Sequence, residues 1–579
     1  MIITLESAKK TMGQHQSIDA SPENIPELVT QLCVGNSSGK RNGAAALATL
    51  SESSQNQNAI LNYGGISPLV VLLRKGKKHE KTEAARALAR LSSNHEIKVE
   101  IAAIGGILPL VTLTKAGNST QKESAISTLL NLAAIRDNHA AIIDAGAIPI
   151  LVAIVRAGGR GPKTLAAAVF AEMATNSENV NVLLKLQVVT PLVGAIGDST
   201  DLRTTYAVTA LQALIENGKC KVQIVRAGGI PKLVQILREG SDEQKTLAGR
   251  ILRSLSQAPD DVVAIVKAGS IPVLVNLLPD VNLSLQTVVV GVLENLSKTK
   301  KNPESIVAAG GLQPLVQLLT TSNAELRLLS VLTIENIVIF SSVDSTLEAI
   351  VEAGAIASLI TLLSDRTNVL TPASIGHVLR RLLPFSDKAI IRNADGISRL
   401  VSLLRDANLK QKEQVELTLT ELAKDFENRA EMTAAGCIPL LVASVRDDSN
   451  QRRQPAAIML SRLSMYPECL EEIIEAGAIE QFVAMLRDGL TFETDILPLT
   501  LVQVSLSDVG KKAIEAAGAI PLLISLVRTG NRDQKESCAQ VLANLSTNER
   551  LREVIESARR ELPRCSRTLT NVQTQSFIR

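Results

Sequence analysis

Residues 145–156 read Ala-Gly-Ala-Ile-Pro-Ile-Leu-Val-Ala-Ile-Val-Arg. Within them Ile148, Leu151, Val152 and Val155 fall at i, i+3, i+4 and i+7, the spacing that lays one apolar stripe along an α-helix. Pro149 occupies the first turn of that helix, where a missing N–H costs nothing. Just upstream, Asn138 to Ala145 (NHAAIIDA) reads as a shorter helix that stops at Gly146, and glycine permits a sharp bend between the two. Gly158 is expected in an exposed turn, so Gly146→Val should harm folding far more than Gly158→Val.

The same string, Ala-Gly-x-Ile-Pro-x-Leu-Val, recurs along the chain. Its Ile-equivalent positions are Ile25, Ile66, Ile107, Ile148, Val189, Ile230, Ile271, Leu312, Ile356, Ile397, Ile438, Ile479 and Ile520. Every step is 41 residues except the 44 from Leu312 to Ile356, whose extra residues fall between Ile337 and Thr346. Each period also holds a longer, third helix. In the stretch before residue 138, Ala125, Ile126, Leu129, Leu130 and Leu132 are expected to face inward and Asn131 outward. A unit of this size cannot bury its apolar faces alone, so the units must stack into one continuous core with nearest-neighbour stability. The expected architecture is an all-α solenoid of about thirteen units over residues 22–557, one domain. Residues 1–21 are expected as a flexible lead, with Ser21 capping and Pro22 in the first turn, and 558–579 as a disordered basic tail after an unfinished fourteenth unit.

Composition agrees with a stack of helices. Apolar residues make up 45% of the 579 residues, aromatics 2%, and tryptophan is absent, so the core must be aliphatic. The formal charge of +3 gives no overall field toward nucleic acid or membranes, and any electrostatic preference must be local. Cys33, Cys220, Cys437, Cys469, Cys538 and Cys565 show no C-x-x-C pair and read as reduced intracellular thiols. The amino terminus has no signal architecture, no apolar run reaches membrane-spanning length, Ile2 excludes myristoylation, and the ending SFIR offers no prenylation cysteine. A monomeric cytoplasmic protein, present in the nucleus as well, is the expectation.

The turn string, with the closing patterns ISTLLNLAA (Ile126 to Ala134) and AQVLANLS (Ala539 to Ser546), resembles the armadillo family, which includes β-catenin, importin-α and the vacuolar armadillo proteins. The resemblance implies a right-handed α-solenoid whose third helices line a concave groove for extended peptides. It also implies that an asparagine on that helix pairs with the peptide main chain, since an amide both donates and accepts. The matching groove positions, with two neighbours four residues earlier, are Arg86, Arg90, Asn131, Glu172, Arg250, Ser254, Asn295, Asn336, Arg380, Glu421, Arg462, Gln503 and Asn544. A nuclear-import adaptor for basic cargo is the alternative within the family, and the absence of tryptophan beside these positions argues against it. The residues before Ile25 are too few for a U-box.

No constellation for catalysis, metal or cofactor emerges. His15, His79, His95, His139 and His377 stand far apart and read as structural or solvated. GGRGPKT (Gly158 to Thr164) fails the phosphate-loop spacing and reads as a turn between helices. Two local features stand out instead. Arg74, Lys75, Lys77, Lys78, Lys81, Lys115, Lys122, Arg156, Arg160 and Lys163 are all expected in the turn before the long helix, stacked into one basic ridge that Arg86 and Arg90 extend into the groove. Such a ridge suits an acidic peptide or another anionic ligand, whereas nucleic acid would lack aromatic stacking partners. In later units the groove turns apolar at Leu332, Leu417, Ile458 and Leu499, which suits an amphipathic segment. Pro455 should open one long helix, and Pro498 should kink another or delay its start. The sequence therefore reads as a non-catalytic scaffold for acidic or amphipathic segments of other proteins.

Overall fold

The computed structural model describes residues 19–197, 201–216, 220–280, 282–341, 343–364, 372–385, 395–406, 409–446, 450–488 and 496–561. They are overwhelmingly α-helical, and no strand occurs among them. The chain divides into two compact units, residues 1–296 and 297–579.

In the first compact unit the three-helix period is plain. Around Ile148 it consists of Asn138–Asp144, Ala147–Ala157 and the long helix Arg160–Ala174. The first and second helices meet at 75°, and the equivalent pair His95–Ala103 and Ile107–Ala116 at 87°. The bend is made at Gly146, whose φ of 75° lies in the left-handed region that glycine enters without penalty. Ile126, Leu129, Ile148 and Leu151 are fully buried, each contributing roughly 1.5–3 kcal/mol relative to exposure. Leu130 is only half-buried, on the flank of its helix rather than facing inward. Successive long helices pack side by side, with the second helices forming a neighbouring layer.

Polar ties join one period to the next. Gln121 Nε2 donates to the Lys78 carbonyl (2.8 Å) and to Thr82 Oγ1 (3.0 Å), while its Oε1 accepts from the Asn118 N–H (3.0 Å). Gln244 repeats this toward Thr205 Oγ1 at 2.8 Å. Glu80 takes the same place, accepting from the Ser37 hydroxyl and from the Lys77 N–H. Burial pushes its carboxyl up, but these two hydrogen bonds and the nearby His79 and Lys77 outweigh it and hold the carboxyl below its ordinary range. His139 is a satisfied core residue: its Nε2 lies 2.6 Å from the Ala133 carbonyl, and Asn179 Nδ2 donates to its Nδ1 at 2.7 Å.

In the second compact unit the pair Asp344–Glu352 and Ala355–Leu363 meets at 72°. The three extra residues of the 44-residue period lengthen the long helix Ala324–Phe340 to 17 residues, against 14 in Arg532–Leu545. Pro498 is the third residue of Ile496–Val504, and residues 489–495, on which the expected kink or delayed start turns, lie outside the described residues. Pro455 does not open its helix, which begins five residues earlier at Asn450 and carries the proline in its interior. The Gln and Arg residues of the preceding NQRRQ have good helix propensity and carry the helix back across the proline.

Gly158 also departs from expectation. Its φ of −74° is ordinary, but a Cβ there would lie 2.7 Å from the Ile154 carbonyl oxygen, so the turn is closed by packing. At Gly146 a Cβ would meet nothing within 4 Å, and the backbone angle alone carries the requirement. At the start, Pro22–Asn24 forms a 3-10 turn leading into Ile25–Val34, and at the end the helix Glu549–Glu561 runs past residue 557. Residues 1–18 and 562–579, including His15 and Cys565, lie outside the described residues.

Candidate functional site

The long helices of each compact unit present one face to solvent, and the expected groove residues lie on or beside it. Arg86, Arg90, Glu172, Arg250 and Arg462 are exposed, while Asn131, Ser254, Asn295, Asn336, Arg380, Glu421, Gln503 and Asn544 are half-buried.

The asparagines have a use that the resemblance did not imply. Asn131 Nδ2 donates to Ser92 Oγ (2.9 Å), Asn295 Nδ2 to Ser256 Oγ (3.0 Å), Asn336 Nδ2 to Ser297 Oγ (2.9 Å) and Asn544 Nδ2 to Ser505 Oγ (2.9 Å). In each case the serine stands 39 residues earlier, at or next to the end of the preceding long helix. Ser92 and Ser256 in turn donate to the carbonyls of Ala89 and Arg253. These four amide groups therefore tie neighbouring long helices together, each spending an N–H on a serine of the preceding period. Arg90 behaves likewise: Nη1 donates to the Ala48 carbonyl (2.8 Å) and pairs with Glu52 (2.9 Å), so it folds back on the preceding helix instead of extending the ridge. Arg86 pairs with Glu83 at 3.0 Å, Glu421 with Lys424, and Arg380 donates to Gln414 Oε1 at 2.8 Å.

The later face is apolar in fact as well as in sequence. Leu417 is 37% and Leu499 49% exposed, while Leu332 and Ile458 are half-buried. Seven residues beyond three of these stand Ile339, Met465 and Leu506, with exposures of 47%, 60% and 64%. Sequence reasoning missed this second row, although the i, i+7 rule applied to Leu332, Ile458 and Leu499 finds it. The corresponding pairs in the first compact unit are small or polar, for example Arg86 with Ser93 and Arg250 with Gln257.

The basic residues do not all fall in the turn. Arg74, Lys75, Lys115 and Arg156 lie in the last turns of second helices, where the helix dipole favours cations. Lys77 is the N-cap of Lys78–Leu91, while Lys78, Lys81, Lys122, Arg160 and Lys163 lie in the opening turns of long helices. They still share one edge. Among the described residues no group of three or more His, Cys, Asp or Glu side chains is placed to hold a metal ion, and no single helix is long and apolar enough to cross a membrane.

Comparison with known proteins matches this geometry. The family described as Armadillo/beta-catenin-like repeat matches residues 259–298, and the family described as Armadillo-like matches residues 21–205. A search of curated proteins found no match. Among solved structures, the chain is similar to one reported for a phosphorylation switch controlling the interaction between cadherin and beta-catenin. The identity there is 16%, coverage is 90% of this chain and 99% of that one, and the TM-score is 0.61. An engineered protein is similar at 24% identity, 76% and 98% coverage and a TM-score of 0.50. At these identities the likeness concerns the fold.

Proposed function

Since the chain is an armadillo-repeat protein, we propose that it is a non-catalytic scaffold that holds segments of partner proteins against the exposed face of its long helices. The observation that carries this reading is the apolar double row on the two consecutive long helices Asn450–Leu463 and Ile496–Val504 and the turns that follow them: Ile458 with Met465, and Leu499 with Leu506. Exposed apolar side chains gathered on one face, rather than scattered singly, mark interaction surfaces. The row suits the apolar side of an amphipathic segment, and the exposed Arg462 between Ile458 and Met465 favours an acidic flank on that segment.

The test is selection from a random displayed-peptide library on the full chain, followed by measurement of the selected peptides on Leu499→Asp/Leu506→Asp. The expected result is enrichment of amphipathic peptides whose affinity falls at least about tenfold on the double variant, with its melting midpoint unchanged, because both side chains are exposed. Selected peptides that bind the variant as tightly as the parent contradict the reading.

A further inference from the structure

We infer that the basic edge of the first compact unit is a second docking surface, separate from the long-helix face, for an extended acidic segment of a partner protein whose apolar side chains seat in two equivalent clefts. The first cleft, about 460 Å³, opens between consecutive second helices and is lined by Leu73, Arg74, Lys81, Leu108, Pro109 and Leu113 among others. The second, about 220 Å³, is lined by Val155, Arg156, Lys163, Thr190, Pro191 and Ala195 among others. Each of these six stands 82 residues, two periods, after its counterpart, so the repeat itself builds the cleft twice. Both have an apolar floor and a basic rim, Arg74, Lys78 and Lys81 in the first and Arg156, Lys163 and Arg203 in the second, and the equivalent pairs Arg74/Lys81 and Arg156/Lys163 recur in both. Leu108 is 61% exposed in the first, an apolar contact open to a ligand.

The four rim cations that the repeat places equivalently have no partner among the described residues. Arg74, Lys81, Arg156 and Lys163 make no ion pair and no side-chain hydrogen bond among the described residues. The position of Lys81 and Lys163 is used differently in the second compact unit, where Lys412 Nζ donates to the Arg405 carbonyl (2.9 Å) and Arg327 to the Thr321 carbonyl (2.9 Å). Two nearby carboxylates offset only part of the edge: Glu80 lies beside Lys77, and Asp201 is shared by Arg160 (3.8 Å) and Arg203 (3.3 Å). Glu123 remains exposed against the other eight basic residues of the edge. Charge complementarity therefore selects an acidic occupant. Packed helices lie 8–10 Å apart, which puts the clefts roughly 16–20 Å from each other, a span that an extended chain covers in about five or six residues. The occupant is thus an acidic stretch with apolar side chains about six residues apart.

The probe is a fluorescein-labelled peptide with two leucines six residues apart and glutamates between them, titrated with the full chain at about 50 and about 300 mM NaCl. Binding is expected to weaken at least about tenfold at the higher salt. Lys81→Glu/Lys163→Glu should lose about tenfold at low salt and flatten the salt dependence, and a peptide with both leucines changed to serine should bind about tenfold more weakly. Leu499→Asp/Leu506→Asp should leave this binding unchanged, which separates failure here from failure of the long-helix reading. Unchanged affinity on the Glu variant, equal binding of the leucine-free peptide, or preferential binding of phosphatidylserine vesicles over the peptide each overturns the proposal. Should the Glu variant lose helical circular dichroism, Lys81→Gln/Lys163→Gln is measured in its place.

Discussion

Gln187 holds a left-handed backbone, φ 57°, at the turn position that Gly64, Gly105, Gly146, Gly228 and their successors occupy. Its side chain is exposed, so nothing visible compensates for the roughly 1–2 kcal/mol that a side chain costs in this region. Gln187→Gly should therefore stabilise the chain by about 1 kcal/mol, the relief of strain exceeding the greater freedom of glycine in the unfolded state. The check is urea denaturation of parent and variant, and a lower midpoint for the variant contradicts the assignment. Asp395, φ 53°, shares the position but belongs to a residue type that tolerates it better. At this scale the sequence shows where glycine is required, because the turn string repeats. It shows less of what an asparagine does. Asn131 and Asn544 read as ligands for a peptide, and nothing local in the sequence shows that they also donate to Ser92 and Ser505, 39 residues upstream. A donor and its acceptor in different periods share no local pattern, and only the stacking of the helices brings them together.

Helices were legible where apolar spacing and punctuation agree, as in Ala147–Ala157, which begins after Gly146 and ends before Gly158. They were misread where a single strong signal competed with its surroundings. Pro455 inside Asn450–Leu463 removes the N–H that would reach the Gln451 carbonyl, a defect that costs up to about 3 kcal/mol in a helix interior. Pro455→Ala should thus raise stability by on the order of 1–3 kcal/mol and increase hydrogen-exchange protection of amides in that helix. No gain in protection would return the helix start to Pro455, as the sequence alone suggests. The face of the long helices was half legible for a similar reason: Leu417 and Leu499 were found by their place in the period, but Met465 and Leu506 stand just beyond the helix ends, where a motif-based alignment stops.

The whole molecule is set by a ruler of 41 residues, and the ruler makes a demand that no single side chain does. If each period contacts only its neighbours, removing one whole period joins equivalent surfaces and leaves a shorter array. Deleting residues 148–188 joins Ala147 to Val189, keeps the Gly146 bend in front of the next second helix and discards the strained Gln187. The deletion also removes Asn179, the donor to His139 Nδ1, a loss of about 1–3 kcal/mol that an array of this length should survive. A deletion of residues 148–168 removes half a period and sets unlike surfaces against each other. The decisive measurement is thermal unfolding of the two variants by far-ultraviolet circular dichroism. Helical content per residue equal to that of the parent, with a retained unfolding transition, is predicted for the whole-period deletion alone; collapse of helix in that variant to the level of the half-period deletion would contradict the account.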